Sequence, residues 1–439
     1  MLSLFFYYGA VNYNERGVYV SFAESRERFL KNMHGLGLDF ESLEREGKFR
    51  FIDMLTVRGE AISAALETIL KEVSELKAKR LVIDSFSAMA QAFKETHEAR
   101  VILHTILGRA IRLLGCTTIL IVEVPYGENR VGLGIEEFVA DGIIYLMRSE
   151  FDGGRIFREM EILKMRGAPI QEAHIAFTVK GGLKALPPFE VKVAERLSKF
   201  EPRPDTKECF STGSQNLDEV LNGGYLKGSS VLIEIIDANV STLQYHLIIY
   251  PTLWNFLAQG RGAIIFPSTG IDYSLILKRF EEAGFKTDEI NSLLRILIRD
   301  YAGIKQAPYL VTCRGENFSE DYVKILEIER ELHERTGKPI LHFVGADMFI
   351  DTYGLREALS AIRNHAVRVR EEGDLYMILL KQGYPRLSEV LGTFSEVHLK
   401  ITRKYCSVIV YGVKPRTPLY ALDMDVSKGY FMPKLTQII

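Results

Sequence analysis

Apolar residues in the first half of the chain fall into short uninterrupted runs separated by amphipathic stretches. The runs lie at residues 17–21, 49–54, 80–84, 117–122 and 142–147. The stretches between them repeat apolar positions at helical spacing, at residues 26–36, 60–77 and 97–114. Strands that are apolar on both faces are typical of a parallel sheet covered by helices. This half therefore predicts an α/β fold with a doubly wound, mostly parallel sheet.

The pattern changes after Asp141, where short strands and turns replace the alternation of strands and helices. Residues 157–165, 174–179 and 182–186 predict an antiparallel extension of the sheet. At the other end of this half, the apolar residues 1–10 predict a helix that packs on a core. They have no basic residues before them and are too short for a membrane span.

A proline-rich and charged stretch follows this region. Residues 184–209 hold four of the 14 prolines, which is typical of a linker, and residues 191–197 within it predict one short helix. The chain of 439 residues is too long for one ordinary core. We therefore expect a first domain at 1–186, a linker at 187–210 and a second domain at 211–439.

The second half repeats the order of elements in the first. An Arg-Gly pair precedes a strand at residues 16–17 and again at residues 261–262. The strand that ends in Asp84 has its counterpart in residues 339–347. Each half also carries a Lys-x-Arg sequence near its end, formed by Lys164 and Arg166 and by Lys414 and Arg416. Because the order is kept over several elements, we interpret the halves as a tandem duplication.

Composition excludes several classes of protein. The net charge of −2 provides no overall basic surface for nucleic acid or for an anionic membrane. The four cysteines are scattered and form no CxxC pair, which argues against a disulfide scaffold and a zinc module. We expect a cytoplasmic protein without a membrane segment.

Two carboxylates follow predicted strands. Asp84 ends an apolar strand, at the position where ligands bind in open α/β sheets and where P-loop hydrolases hold Mg²⁺. The alternative is that Asp84 and Ser85 cap the next helix, and the residues alone favour neither role. Glu24 follows another strand and could polarise a water molecule, although a solvated glutamate in the first turn of a helix is the commoner situation.

Lys164 and Arg166 occupy alternate positions of a predicted strand, so both side chains lie on one face. Two cations on one face could contact a phosphate from outside, as an arginine finger does. An ordinary charged sheet face would show the same pattern.

Several of these segments resemble the KaiC-type domains of the RecA superfamily, a branch common among archaeal signalling ATPases. The resemblance covers residues 1–186 and is carried by the segments FFYYGAVNYNERGVYVSFAE at 5–24, RLVIDSFS at 80–87, GIEEFVADG at 134–142, IFREMEILKMRG at 156–167 and FTVKGGL at 177–183. It implies two RecA-like cores, ATP as the ligand, Asp84 as the Mg²⁺ aspartate and Glu24 as the water-activating glutamate. Lys164 and Arg166 would then contact the ATP of a neighbouring subunit. The family carries two adjacent glutamates at this strand end, whereas the first position here is Ala23.

Residues 211–230 are similar to the opening of a KaiC-type domain, so the second half should be another such core. A phosphate-binding loop requires G-x-x-x-x-G-K-[ST], and the printed sequence contains no such motif. In the second core, Ile235 and Val240 stand at the two glycine positions, Ser241 replaces the lysine, and only Thr242 matches. We therefore expect a pseudo-ATPase core that keeps Lys414 and Arg416 for an interface or phosphate-sensing role towards a neighbour.

In the first core, by the family pattern, Met1 falls within the helix that follows the loop. A core without the leading strand would leave unpaired strand edges inside the sheet. This expectation leads to the hypothesis that the natural gene product starts upstream of Met1.

Three functions are consistent with these features. The first is a KaiC-like ATP-binding regulatory protein of signal transduction that forms a ring-type homo-oligomer such as a hexamer and binds a protein partner. The second is an adaptor that acts through protein contacts without nucleotide. The third, a DNA recombinase, is disfavoured by the negative net charge. ATPase activity is implied by resemblance alone, because the motif for phosphate binding is absent.

Overall fold

The computed structural model describes residues 2–55, 62–90, 114–124, 140–300 and 306–439. The predicted helix at 97–114 and most of the segment 134–142 lie outside these ranges. The chain divides into two compact units. The first comprises Met1–Met147, Met160–Ala173 and Gly181–Lys184, and the second comprises Arg148–Glu159, His174–Lys180 and Ala185–Ile439.

The first unit contains a parallel sheet that follows the predicted apolar runs. Its four strands are β1 (Gly17–Ser21), β2 (Phe49–Asp53), β3 (Arg80–Asp84) and β4 (Thr117–Leu120). They pair in the order β2-β1-β3-β4. The helices are α1 (Leu2–Asn12), α2 (Arg26–Gly35), α3 (Phe40–Arg45), α4 (Ile62–Leu76) and α5 (Phe86–Ala90).

Alternate side chains of these strands enter two separate cores, which is why the strands are apolar throughout. Val18 and Val20 pack with Leu66 and Ile69 of α4. Tyr19 points to the other face, where an aromatic cluster includes residues of α1, α2 and α3: Phe6, Phe29 and Phe40. The predicted N-terminal helix is therefore confirmed as part of a core.

The antiparallel extension forms a separate four-stranded sheet. Its strands are β5 (Gly142–Phe151), β6 (Arg155–Met165), β7 (His174–Thr178) and β8 (Lys184–Leu186), in the order β5-β6-β7-β8. Only residues 152–154 join β5 to β6, so these two strands form a hairpin. We call Arg148–Glu159 the hairpin tip. It belongs to the second unit, where Phe157 packs with Ile409, Tyr411 and Leu419.

The second unit is built on one continuous sheet of ten strands. The short pair β9 (Cys209–Phe210) and β10 (Tyr225–Leu226) precedes it. Its strands are β11 (Ser230–Ile235), β12 (Ala263–Phe266), β13 (Leu294–Arg299), β14 (Leu310–Cys313), β15 (Leu341–Gly345), β16 (Leu375–Leu380), β17 (Val397–Lys404), β18 (Ser407–Lys414), β19 (Leu419–Asp425) and β20 (Met432–Ile438). Their order is β14-β13-β12-β15-β16-β11-β17-β18-β19-β20, parallel from β14 to β17 and antiparallel beyond.

Helices cover both faces of this sheet, and two clusters of buried residues fill the space between helices and strands. The helices are α6 (Gln215–Val220), α7 (Thr242–Ala258), α8 (Tyr273–Glu282), α9 (Thr287–Leu293), α10 (Phe318–Thr336), α11 (Ala346–Tyr353), α12 (Leu355–Glu372) and α13 (Pro385–Phe394). The predicted fold class of two RecA-like α/β sheets with antiparallel extensions is confirmed. Among the described residues, no helix combines the length and the apolarity that crossing a membrane requires.

The two halves differ where the parallel strands meet the antiparallel ones. In the second half, β11 lies between β16 and β17 and joins the parallel strands to the antiparallel ones. In the described part of the first half, the parallel sheet ends at β4, and β5 begins another sheet without a counterpart of β11 between them.

The stretch between the halves contains no helix, so the predicted helix at 191–197 is wrong. Residues 187–208 run without regular structure. Their backbone groups bond to other parts of the second unit: the N–H of Phe200 donates to Ala283 O (2.8 Å) and that of Arg203 to Asn255 Oδ1 (2.8 Å).

Candidate functional site

The strands β1 and β3 bring the predicted carboxylates to one edge of the first sheet. Ser21 and Asp84, the last residues of the two strands, are register partners. Just beyond them, the N–H of Phe22 donates to Asp84 O (2.6 Å). Because parallel strands end at the same edge, we call this the carboxyl edge of the sheet. Both carboxylates that the sequence singled out follow strands that end there.

Ser21 shapes the turn that holds Glu24. Its Oγ accepts hydrogen bonds from the N–H groups of Ala23 (3.3 Å) and Glu24 (2.9 Å). The carboxylate of Glu24 is half-buried and accepts a hydrogen bond from Asn32 Nδ2 (3.3 Å). Sequence reasoning missed the role of Ser21, although a serine at the end of a buried strand, just before a turn, was visible as a candidate.

The pKa of Glu24 is raised above its ordinary value. Burial is the largest cause, and the negative charge of Asp84 adds to it, while Arg28 and Asn32 act in the opposite direction. The effect of Asp84 indicates that the two carboxylates interact. A carboxylate whose pKa is raised is a stronger proton acceptor than an ordinary one, which suits a group that activates water.

Asp84 takes part in a contact that the sequence did not reveal. The phenol of Tyr19 donates a hydrogen bond to Asp84 Oδ2. Burial and this aspartate raise the pKa of Tyr19, so the phenol stays protonated. Ser85 takes the capping role considered for this pair, because its Oγ accepts from the N–H of Ala88 (3.2 Å) in α5. The Asp84 carboxylate is therefore held by Tyr19.

Lys164 and Arg166 lie on the other sheet of the first half. Lys164 is the penultimate residue of β6, and Arg166 follows that strand directly. The guanidinium of Arg166 forms an exposed ion pair with Asp141 (3.3 Å). Their action on the ATP of a neighbouring subunit remains a prediction.

In the second core, the loop after β11 has lost the geometry that holds phosphate. A phosphate-binding loop turns its N–H groups inward through residues of positive φ, yet no residue from 235 to 242 has a positive φ. Four of its N–H groups are bonded within the protein: Ile236 to Ile401 O (3.0 Å), Asn239 to Asp237 Oδ1 (2.8 Å), Val240 to Asp237 O (3.1 Å) and Ser241 to Gln244 Oε1 (2.8 Å). Thr242 begins α7 and lies 3.5 Å from the hydroxyl of Tyr245.

A buried carboxylate lies at the base of this loop. Glu234 Oε2 bonds to Ser388 Oγ (2.7 Å) and to His398 Nε2 (2.9 Å), and Lys400 Nζ lies at 3.8 Å. Burial raises the pKa of Glu234, but the hydrogen bonds from His398 and Ser388 and the charge of Lys400 outweigh it and lower the pKa. A negative charge at this position opposes phosphate binding. The sequence showed the glutamate, but not its partners, which come from α13 and β17.

Register shows that the second core also lacks an aspartate at the position of Asp84. Val18 pairs with Leu81 in the first core, and Ala263 pairs with Leu341 in the second. Aligning the two Arg-Gly pairs makes Ala263 the equivalent of Val18 and Leu341 the equivalent of Leu81. Three residues further along each strand, Val344 therefore takes the position of Asp84. The expectation that the counterpart strand ends in Asp347 is therefore wrong. The strand ends at Gly345, and Asp347 belongs to α11.

Asp347 is instead held by its neighbours. Ser268 Oγ lies 2.8 Å from both of its carboxylate oxygens, and the N–H of Thr269 donates to Oδ2 (3.1 Å). Thr269 stands at the position of Glu24. The interface pair predicted for this core is also tied within the unit, because Lys414 donates to Ser395 O (2.7 Å) and Arg416 to Gly153 O (2.6 Å).

Comparisons with known proteins identify relatives of part of this chain. The family model described as "ATPase: KaiC" matches residues 1–186. Residues 1–186 therefore match the KaiC-type ATPase domains of the RecA superfamily. The circadian clock oscillator protein KaiC of Thermostichus vulcanus is 31% identical over 272 residues, which cover 60% of this chain and 49% of that protein. The chain thus spans about half the length of the KaiC relatives it matches.

Two further similarities are broader or structural. Protein GvpD2 of Halobacterium salinarum is 23% identical over 390 residues, which cover 85% of this KaiC-like chain and 77% of that protein. A crystal structure of a KaiC-like protein from Pyrococcus horikoshii is 33% identical, with a TM-score of 0.37, and covers 42% of this chain and 81% of that one.

Proposed function

We propose that this KaiC-like chain is an ATP-binding regulatory protein whose nucleotide chemistry belongs to the carboxyl edge of the first sheet. In this proposal, Asp84 holds Mg²⁺, Glu24 accepts the proton of the attacking water, and the second core is a pseudo-ATPase. The observation that carries the proposal is the placement of Glu24 and Asp84 at one edge of the first sheet. Thr269 and Val344 take their positions in the second core.

The residues at this edge fit a magnesium ion. Mg²⁺ prefers oxygen ligands, keeps several waters and uses one or two carboxylates together with substrate phosphates. Asp84 supplies such an oxygen at the end of β3, and Glu24 is a second carboxylate at the same edge. When bound, Mg²⁺ would neutralise charge that develops on the phosphates.

Tyr19 positions Asp84, and Ser21 positions Glu24. The phenol bonded to Asp84 Oδ2 fixes the orientation of that carboxylate. The Ser21 hydroxyl fixes the turn from which the side chain of Glu24 extends. A base that is held in place before substrate arrives loses less entropy in the reaction.

We further propose that the active assembly is a ring of identical subunits, in which Lys164 and Arg166 contact the phosphates bound by a neighbour. Both residues lie at the end of β6, outside the sheet that carries Glu24 and Asp84. Two cations that belong to another element suit a role across a subunit interface. The regulated protein partner would bind the same assembly.

Equilibrium binding of ATP tests this proposal on the full chain. Calorimetric titration with ATP and Mg²⁺ should show no more than one site per chain, and Asp84→Asn should weaken that binding about tenfold or more, because a charged ligand of the cation is lost. Asp347→Asn is the matched control in the second core and should leave binding unchanged. Equal loss in both variants would contradict the assignment of the site.

The nucleotide-independent adaptor is the second candidate. It is favoured by the second core, where Ile236, Asn239, Val240 and Ser241 have their N–H groups bonded internally and Glu234 places a negative charge beside the loop. Absence of ATP binding up to about 1 mM would establish this candidate over the first.

A further inference from the structure

Three ligand-type side chains meet at the edge of the second sheet opposite to its carboxyl edge. Glu329 and His333 are one helical turn apart in α10, so both extend from the same face of that helix. Asp374 directly precedes β16. The three donor atoms, one from each side chain, all lie within 4.8 Å of one another.

The cluster is enclosed on one side and accessible on the other. The side chains of Glu329 and Asp374 are 1% and 0% exposed, whereas that of His333 is 27% exposed. A ligand could therefore enter past the imidazole and meet two buried carboxylates. Buried carboxylates are expensive unless they are paired or coordinate a cation.

Each carboxylate has one oxygen fixed by the protein. Glu329 Oε1 accepts a hydrogen bond from Arg368 Nε (2.7 Å), and Asp374 Oδ1 accepts one from the N–H of Ile340 (2.8 Å). These bonds leave the second oxygens as the ones that can point into the cluster. Asp374 Oδ2 lies 2.9 Å from His333 Nε2 and 3.2 Å from His342 Nε2.

The second oxygen of Glu329 is the independent indication of a ligand. Glu329 Oε2 is fully buried and has no hydrogen-bond partner. Burying a charged acceptor costs desolvation free energy, and no hydrogen bond to this oxygen offsets that cost. A bound cation would satisfy this atom.

We propose that Glu329, His333 and Asp374 bind a divalent metal ion of the zinc class, with solvent as the fourth ligand. One imidazole nitrogen and two carboxylate oxygens suit Zn²⁺ and its neighbours in the first transition row. The absence of sulfur ligands disfavours Cu(I), and the imidazole disfavours Ca²⁺ and Mg²⁺. With Arg368 paired to Glu329, the three charged side chains carry a net charge of −1, which attracts a cation.

Two neighbouring residues are positioning residues for this site. His342 donates to Asp374 Oδ2, and Arg368 donates to Glu329 Oε1, so both orient the carboxylates from behind. The ion would fasten the end of α10 to the start of β16. Its role would be to hold these two elements together, and it does not depend on the nucleotide function proposed for the first unit.

Metal binding to the full chain tests the site. The protein is treated with EDTA and exchanged into chelator-free buffer. Titration with Zn²⁺ should then show one tight site per chain, and the melting temperature of the protein should rise with added Zn²⁺. Glu329→Gln and His333→Gln should each weaken that binding about a hundredfold, because each removes a ligand. Glu334→Gln is the matched control, since Glu334 lies on the same helix with a side chain that is 74% exposed, and it should bind as the parent does.

Cobalt substitution distinguishes this site from the cysteines and remains informative if a variant fails to fold. Co²⁺ in the parent protein should give the visible spectrum of a four-coordinate nitrogen and oxygen site without a thiolate charge-transfer band. A thiolate band, or equal Zn²⁺ affinity in the parent and the two ligand variants, would overturn the proposal. Absence of a Zn²⁺ site from the parent would do the same, and the cluster would then be an ion-pair network of Asp374 with His333 and His342.

Discussion

At the carboxyl edge of the first sheet, Asp84 ends β3 and Glu24 follows the neighbouring strand β1. At the same register in the second sheet, Thr269 and Val344 replace them. The strand order around both positions is the same, apart from β11. The comparison shows that the parallel sheet can persist without the carboxylates, because apolar strand interiors hold it together. The chemistry, by contrast, would depend on a few residues at the strand ends.

The polar residues near the strand ends of the second core form hydrogen bonds to buried groups instead. Ser268 and Thr269 bond to Asp347, and Glu234 bonds to Ser388 and His398. Each of these bonds satisfies a buried group that would otherwise be unpaired. The polar residues of the second edge thus contribute to stability, whereas we propose that those of the first edge bind a ligand.

The largest effect should come from Glu24. Glu24→Gln keeps the size of the side chain but removes the base, so we expect the ATP turnover of the assembly to fall by a factor of about 10² to 10⁴ while ATP binding is retained. Thr269→Ala, at the equivalent position of the second core, should leave turnover unchanged. Turnover and binding are measured on the same preparations, and a Glu24→Gln protein with parental turnover would remove the distinction between the two edges.

The second effect is on stability and concerns the other core. His398→Leu leaves the buried Glu234 carboxylate with Ser388 and Lys400 alone, so we expect a loss of about 3 kcal/mol in the free energy of unfolding. The side chains of Glu234 and His398 are only 12% and 7% exposed, so solvent does not screen the pair. Denaturant titration measures the change.

The double variant Glu234→Leu and His398→Leu is the control for this effect. It removes both polar groups together and should recover most of the lost stability, because an apolar pair needs no hydrogen bond. If the double variant is as unstable as His398→Leu, the loss arises from packing and not from an unpaired charge.

The third effect tests the assignment of the hairpin tip to the second unit. Arg155 is buried and donates to the carbonyls of Thr417 (2.9 Å), Gly412 (2.7 Å) and Asp152 (2.6 Å), with its guanidinium over the ring of Tyr411. Arg155→Ala should lower the free energy of unfolding by about 2 kcal/mol, because these charge-assisted bonds are lost.

Hydrogen exchange locates that loss. Protection should fall in β18 and β19 and stay unchanged in β1 and β3, since Arg155 contacts only the second unit in its hydrogen bonds to Thr417 and Gly412. Arg416→Ala removes one exposed bond to Gly153 and should change little. Equal loss of protection in both sheets would show that the hairpin tip does not belong to one unit.

The sequence predicted most of the fold because apolar runs determine where buried parallel strands lie. The strand Arg80–Asp84 and the placement of Glu24 after β1 follow from the chain itself. The bond between Tyr19 and Asp84 could not be predicted, because it joins residues on different strands whose pairing is set by the register. The position of Asp347 was predicted wrongly because the strand ends at Gly345 and a helix begins at the next residue, which no apolar pattern distinguishes.

The smallest effect is the titration of Glu24 itself. Its pKa in the folded protein is raised, so the folded state binds the proton more tightly than the unfolded state does. The contribution of Glu24 to stability therefore decreases as pH rises through its folded-state pKa.

Asp84→Asn removes one of the charges that raise this pKa, so the pKa should move down towards its usual range and the dependence on pH should weaken. Carbon-13 NMR of the side-chain carboxyl measures the shift, and Asp347→Asn serves as the control. An unchanged pKa in Asp84→Asn would mean that burial alone raises it, and the two carboxylates would then no longer form an interacting pair.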